Sequence, residues 1–232
     1  RRAELAVLYR SNLLARGLET ELRARGLPYR VVGGAAFYEG KEVKDVLAYL
    51  RACHNPADEI SVRRIINSPP RGIGLRTLAK LTAWADASAA PFHQALQRAP
   101  QILGAGDRSA EAIAGFLALP ERHRTTLRRA GTQLPAAVRR LLAEVDYGGR
   151  VQQEGAGADQ AVARRLAQIE ALIGAIERYC ERAERPTLGE YLNRTALLTS
   201  AAEEAGEADD QVTLSTLHGA KGLEFRLVVL IG

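Results

Sequence analysis

Leu5-Ala6-Val7-Leu8-Tyr9-Arg10-Ser11-Asn12 stands near the start of the chain, and Pro28-Tyr29-Arg30-Val31-Val32-Gly33-Gly34 follows a short way on. The first stretch is an apolar run of strand length closed by polar residues. The second is rich in β-branched residues and closed by a glycine pair. Between them Leu13, Leu14, Leu18 and Leu22 fall on one helical stripe, and Gly26-Leu27-Pro28 stops that helix. Strand, helix and strand at this spacing predict two parallel strands of one sheet.

Strand character then disappears. Glu42 to Ala52 carries Val43, Val46, Leu47 and Leu50 at helical spacing, and Asn55-Pro56 ends it. Ser61 to Asn67 predicts a short helix. Leu75 to Ala85 predicts another, with Leu78 and Leu81 on one side. Helices and Gly/Pro breaks alternate to about Ala205. The longest expected helix runs from Asp159 to Arg185, with Leu166, Ile169, Leu172, Ile173 and Ile176 as its stripe. The acidic run Glu203 to Asp210 reads as a linker. Strands return at Val212-Thr213-Leu214-Ser215-Thr216 and at Leu227 to Ile231, the latter apolar enough to read as a buried strand. The expected fold class is α/β: a mainly helical domain inserted into a parallel-sheet domain whose two pieces meet in space. The boundaries fall at 1–34, 35–205 and 206–232.

Composition narrows the function classes. The chain has 232 residues, of which 47% are hydrophobic and 25% charged, enough to bury a core. It contains no Met, begins Arg1-Arg2 and closes on an apolar strand pattern, as expected of a piece of a longer protein. No apolar run approaches the ~20 residues that span a bilayer, and no secretory signal opens the chain. Cys53 and Cys180 are isolated, which argues against a disulfide framework or a zinc site and favours a reducing interior. The formal net charge is +5, and only four of the 32 basic residues are Lys (Lys41, Lys44, Lys80 and Lys221). Arg suits bidentate phosphate binding, and an Arg- and Ala-rich composition is the other reading; charge alone does not choose between them.

Neither G-x-x-x-x-G-K-[ST] nor G-x-G-x-x-G is present, so the best-known phosphate cradles are absent from the sequence. His54, His93, His123 and His218 are scattered and suggest no metal site. Three segments carry candidate chemistry. Thr213-Leu214-Ser215-Thr216-Leu217-His218-Gly219-Ala220-Lys221-Gly222-Leu223-Glu224-Phe225 delivers hydroxyls, a Lys and a Gly-containing loop from the end of a strand. Those are the donors a phosphodiester needs, at the edge where parallel sheets bind ligands. Pro70-Arg71-Gly72-Ile73-Gly74-Leu75-Arg76-Thr77 places backbone amides at a helix N-terminus, an anion site by its unpaired donors and dipole. Arg71, Arg76 and Thr77 would add side-chain contacts. Arg10 and Asn12 leave the first strand at the same edge as Thr216 to Lys221, and Asn12 also suits a helix cap. Phe37 and Tyr38 read as core residues ahead of a base-stacking pair.

The combination is more specific than its parts. Ala6 to Asn12, Pro28 to Gly34, Phe37-Tyr38-Glu39 with Glu42-Val43-Lys44-Asp45 and Tyr49-Leu50-Arg51, and Arg64-Ile65-Ile66-Asn67-Ser68-Pro69 leading into Arg71 to Gly74 resemble the UvrD/PcrA/Rep-type superfamily 1 DNA helicases. Thr216 to Phe225 is similar to that family's motif V, with Gly219 where a small residue, often Ala, is usual. The resemblance spans the chain and is weakest from about Ala87 to Ala202.

The resemblance implies that the ends belong to the second RecA-like motor domain, 2A, and the helical middle to its inserted 2B domain. Gly33, Gly34 and the Glu203–Asp210 segment would form the hinge. Arg10, Asn12, Thr216, His218 and Lys221 would contact single-stranded DNA. Gly222 and Glu224 would lie on the nucleotide side. Arg71, Gly72, Ile73, Gly74, Arg76 and Thr77 would contact duplex. The parent would be a cytoplasmic, nucleoid-associated 3′–5′ helicase using ATP and Mg2+, with DNA and repair or replication proteins as partners. No catalytic residue, cofactor or ATP hydrolysis is expected in this chain alone. The alternatives are a non-catalytic helix-hairpin-helix-like DNA- or partner-binding scaffold, and a RecB/AddA-type helicase-nuclease piece.

Overall fold

The computed structural model describes the chain apart from residues 11, 33–36, 39, 105, 205–209, 218–219 and 221–222, and apart from the side chains of residues 12–14, 16, 30, 32 and 198–204. The described residues divide into two compact units, Arg1–Gly40 with Asn193–Gly232, and Lys41–Leu192.

The first unit is a four-stranded parallel sheet with helices. Strand β1 (Leu5–Tyr9) leads into helix α1 (Asn12–Ala24), and β2 (Tyr29–Val32) follows. After the helical unit come β3 (Val212–Thr216) and β4 (Leu227–Ile231). The strand order is β2-β3-β1-β4. The two opening strands are parallel and in one sheet as expected, but they are not neighbours. Strand β3 lies between them, pairing Tyr29 with Val212 on one side and Tyr9 with Thr216 on the other. The early strands thus leave a slot that only a strand from the far end of the chain fills.

Tyr9, Ala15, Val212 and Leu214 are buried together, with Val7, Leu18, Leu22 and Val31 packed against them. Leu18 and Leu22 are the α1 stripe read from the sequence. Strand β4 departs from expectation. It is a strand, but Leu227 and Leu230 are 55% and 66% exposed. It pairs with β1 alone, as an edge strand.

The second unit is helical: α2 (Lys41–His54), α3 (Glu59–Ile65), α4 (Leu75–Ala87), α5 (Phe92–Gln97), α6 (Ala99–Leu103), α7 (Arg108–Arg129), α8 (Leu134–Glu144), α9 (Tyr147–Glu154) and α10 (Asp159–Arg182). The unit closes at Leu192, inside α11 (Leu188–Glu204), and Glu203 and Glu204 end that helix where an acidic linker was expected. Helix α2 is the hub. Val43, Val46, Leu47, Tyr49, Leu50 and Cys53 are all buried as it packs on α3, α7 and α10. Each such side chain removed from water contributes about 1.5–3 kcal/mol. Burial also pushes the Cys53 thiol up to about 12, which leaves it inert.

Helix boundaries shift for identifiable reasons. Helix α3 starts two residues before the predicted Ser61, because Asp58 caps it by accepting from the Ser61 amide at 3.0 Å. Helix α10 stops at Arg182 and not Arg185: Ala183 is already extended at φ −86° and ψ +130°, and Pro186 bars the helical conformation at Arg185. Its stripe is otherwise as read: Ile169, Leu172, Ile173 and Ile176 are buried, and Leu166 is half-buried.

Candidate nucleic-acid interface

Two places gather the candidate residues, one in each unit. In the sheet unit, the parallel register aligns the C-terminal ends of β1 and β3, with Tyr9 opposite Thr216. The Leu217 amide donates to the Tyr9 carbonyl at 3.0 Å, so the backbone pairing extends one residue past the strand. Arg10 therefore leaves the sheet beside Thr216 and Leu217 and is exposed. The Ala220 amide returns to the Thr216 carbonyl at 3.0 Å and closes a turn. Ser215 is buried, and its hydroxyl donates to the Thr216 carbonyl at 3.1 Å, where the strand ends.

The structure thus brings Arg10 and Thr216 to one sheet edge. The expectations for His218, Lys221, Gly222, Gly33 and Gly34 lie outside the described residues, as does the Asn12 side chain. Glu224 is exposed on the run back to the opposite edge, two residues before Arg226, whose amide donates to the Glu4 carbonyl at 3.0 Å.

In the helical unit, the Gly72–Gly74 turn joins α3 to α4. Gly72 has φ +75°, a conformation that only glycine adopts without strain. Gly74 is the N-cap residue of α4 and offers no side chain to its first turn, which also lacks an acidic residue. Among the described residues, the amides of Gly72, Gly74, Leu75 and Arg76 find no acceptor. Arg76 is exposed, and Leu75 is 86% exposed. An uncapped helix start with a positive dipole end and a flanking Arg favours an anion. Thr77 is half-buried, its hydroxyl 3.4 Å from that of Ser109.

Two residues expected to contact duplex have side chains that turn inward. The Arg71 guanidinium turns inward: Nη1 donates to the carbonyls of Ile65, Ile66 and Pro69 at 2.8, 3.0 and 3.1 Å, and Nη2 donates to the Tyr49 hydroxyl at 2.7 Å. It joins the carbonyls that follow α3, that of Ile65 also accepting from the Ser68 amide at 3.0 Å, and it lies 5.2 Å from the centre of the Phe116 ring. The Ile73 side chain is 2% exposed and packs in the core, because an apolar group between two solvated glycines gains by burial. Arg71 and Ile73 therefore shape the turn from inside.

Sequence reading missed three residues that build this turn. Asn67 Oδ1 accepts from the amides of Arg71 and Ile73, both at 3.3 Å, and Asn67 Nδ2 donates to the Ile73 carbonyl. Tyr49 and Asp45 lie behind it on α2, both buried. The available signal was the type of residue 67, since an Asn just before a Gly turn can both donate and accept.

The chain matches, over residues 1–232, the family model described as the UvrD-like helicase C-terminal domain. It is 34% identical over 235 residues to the ATP-dependent DNA helicase PcrA of Bacillus subtilis, an alignment covering 99% of this chain and 31% of that protein. It is 36% identical to the ATP-dependent DNA helicase UvrD1 of Mycobacterium tuberculosis, covering 99% and 31%. It is 34% identical to DNA helicase II of Escherichia coli, covering 99% and 32%. The chain thus spans about a third of the length of the curated relatives it matches. By its full-length match, this chain belongs to the UvrD-like helicase C-terminal domain family.

Proposed function

We propose that this chain is the DNA-binding and regulatory part of an ATP-dependent 3′–5′ DNA helicase. The sheet unit is read as part of the RecA-like 2A domain, and the helical unit as the inserted 2B domain. The division of the chain at Gly40 and Asn193 supports that reading. In it, Arg10, Asn12, Thr216, His218 and Lys221 hold single-stranded DNA at the C-terminal edge of the sheet. The amides of Gly72, Gly74 and Leu75, with Arg76 and Thr77, hold duplex phosphates. Gly33 and Gly34 lie at the hinge. Repair or replication proteins are the proposed further partners, in the cytoplasm at the nucleoid. Among the described residues, no helix is long and apolar enough to cross a membrane.

ATP and Mg2+ belong to the longer protein in this reading. The residues of this chain do not by themselves fit that pair: the sequence lacks the phosphate loop, and among the described residues no three His, Cys, Asp or Glu side chains converge on one point. Gly222 and Glu224 would be its nucleotide-side residues.

The observation that carries the proposal is the turn at 72–76, with its open amides and exposed Arg76, in a chain that matches a helicase family along its whole length. Gly74 has φ −69°, and an added Cβ there meets nothing within 4 Å. Gly74→Val should therefore leave the fold intact while blocking close approach of a phosphate. Duplex affinity should fall about tenfold, the worth of one hydrogen bond to a charged group, with single-strand affinity unchanged. Fluorescence-anisotropy titrations with a blunt duplex and an oligothymidine would measure both. Equal loss on the two, or loss on neither, would overturn the assignment.

A further inference from the structure

Asp45 sits in the middle of α2 with its side chain 5% exposed. A carboxylate so placed is costly unless every oxygen is paired. Here it is. Oδ1 accepts from Arg64 Nε at 2.8 Å. Oδ2 accepts from the Tyr147 hydroxyl at 2.7 Å and the Ser68 hydroxyl at 3.3 Å, with Arg150 Nη1 at 3.7 Å as an ion-pair partner. Ser68 then leads the network towards the glycine turn. Its hydroxyl also accepts from Arg150, and its carbonyl accepts from the Tyr49 hydroxyl. That hydroxyl in turn accepts from Arg71 at 2.7 Å.

The proton directions along this path have one solution. An Arg only donates and a carboxylate only accepts. Tyr49 must therefore accept from Arg71 and give its own proton to the Ser68 carbonyl. Ser68 must accept from Arg150 and give its proton to Asp45. A buried network satisfied in one polarity admits one arrangement and rigidifies what it holds.

What it holds is the turn. Arg71 is fixed over the carbonyls of Ile65, Ile66 and Pro69. The amides of Arg71 and Ile73 go to Asn67. The amides left over are those of Gly72, Gly74 and the first turn of α4. Inward and leftover donors alternate, as Gly72 permits with its positive φ. Donors already held in position bind an anion without a further ordering cost.

We infer that Asp45, Tyr49, Asn67 and Arg71 are positioning residues that set the shape of the Gly72–Gly74 turn, and that Arg71 makes no phosphate contact of its own. The inference rests on the reading of that turn as a duplex-binding site.

The test uses the 232-residue chain and compares affinity with its salt dependence. Tyr49→Phe keeps the buried ring and removes only the hydroxyl. It should weaken duplex binding about 5- to 10-fold, leave single-strand binding unchanged and leave the slope of log affinity against log salt unchanged. Arg71→Lys keeps the charge but cannot fork across three carbonyls and a phenol, so it should weaken duplex binding to a similar degree. Arg71→Gln should leave the slope unchanged, whereas Arg76→Gln, which removes a phosphate contact, should flatten it by about 0.9. Wild-type duplex affinity in Tyr49→Phe or Arg71→Lys would overturn the relay. A slope flattened by about 0.9 in Arg71→Gln would overturn the positioning role. If Gly74→Val leaves duplex binding untouched, the site reading itself fails, whatever the relay variants do. Far-UV circular dichroism and the Trp84 fluorescence melt establish that each variant is folded; should Tyr49→Phe not fold, Arg71→Lys decides.

Discussion

The sheet edge at Arg10 and Thr216 and the turn at Gly72–Gly74 are held by opposite means. At the sheet edge the backbone provides the support: parallel ladders join β1 to β3, and the Leu217 amide closes on the Tyr9 carbonyl. The candidate side chain Arg10 stands on that frame without shaping it. At the turn, side chains provide the support, and the backbone amides are the candidate ligand groups. A ladder of N–H and C=O groups forms with almost any side chains attached. A relay of Asp, Ser, Tyr, Arg and Asn forms only with those. The sheet edge should therefore tolerate substitution in stability and respond in binding, while the turn should respond in both.

The largest test of that contrast is Asp45→Ala against Leu214→Ala. Removing Asp45 leaves the buried Tyr147 hydroxyl and Arg64 Nε without their acceptor and takes one of two carboxylate partners from Arg150, whose side chain is 9% exposed. Breaking such a buried pair costs about 3–5 kcal/mol. Leu214 is fully buried in the sheet core, and Leu214→Ala should cost about 2–5 kcal/mol through the cavity it leaves. Trp84 lies in α4, so its fluorescence in urea follows the helical unit, while circular dichroism follows the whole chain. The expected difference is in kind: Asp45→Ala should also abolish the duplex preference, and Leu214→Ala should not. A loss below about 1 kcal/mol for Asp45→Ala would show the relay to be energetically idle.

The two regions also differed in how far the sequence disclosed them. Local signals located β1, α1, β2 and the long helix α10: an apolar run, β-branched residues closed by a glycine pair, and apolar stripes at 3.6 residues all reflect local geometry. The Asp58 cap explains the shifted start of α3, and the extended Ala183 ahead of Pro186 goes with the early end of α10. Periodicity could not place β3 between β1 and β2, since nothing local says which strand fills the slot. Nor could it orient Arg71. An Arg beside a Gly turn reads as an exposed cation until the carbonyls of Ile65, Ile66 and Pro69 are seen around it. The Asp45 relay was least legible, because Asp45 and Tyr147 meet across 102 positions of sequence. On a helical pattern, Asp45 looks like any charged residue between apolar neighbours.

A smaller effect separates the regions by pH. Glu154 receives Arg165 at 2.7 Å, Arg150 at 2.6 Å and Lys41 at 3.3 Å. The bond from Arg165 foremost, then that from Arg150, holds its carboxyl down to about 2. The folded value lies below the unfolded one, so this contribution is present above the ordinary glutamate range and is lost as pH falls towards about 2. The side chain is 34% exposed, and solvent screening keeps the effect to about 1 kcal/mol. Between about pH 6 and about pH 2.5, the helical unit of the wild type should lose about 1 kcal/mol more than that of Glu154→Gln, read from urea midpoints of Trp84 fluorescence. Equal losses would remove Glu154 from the account of acid lability.

The smallest expected effect falls at the sheet edge and is the sharpest discriminator. Arg10 is exposed, and the strand end beside it is closed by the Leu217–Tyr9 backbone bond, which no side chain at position 10 supports. Arg10→Ala should therefore leave the melting curve where it is. If the guanidinium lies on a phosphate of single-stranded DNA, its removal should flatten the single-strand salt slope by about 0.7 and weaken binding a few-fold at low salt. Duplex binding, carried by the other unit in this reading, should not change. Arg71→Gln gives the complementary pattern: the same formal charge is lost, the melting curve moves and the salt slope does not. One Arg would then act through its charge and the other through its hydrogen-bond geometry, although both read from the sequence as candidate DNA-contacting cations. Matching responses from the two variants, in either stability or slope, would mean that backbone support and side-chain support are not the distinction that governs this molecule.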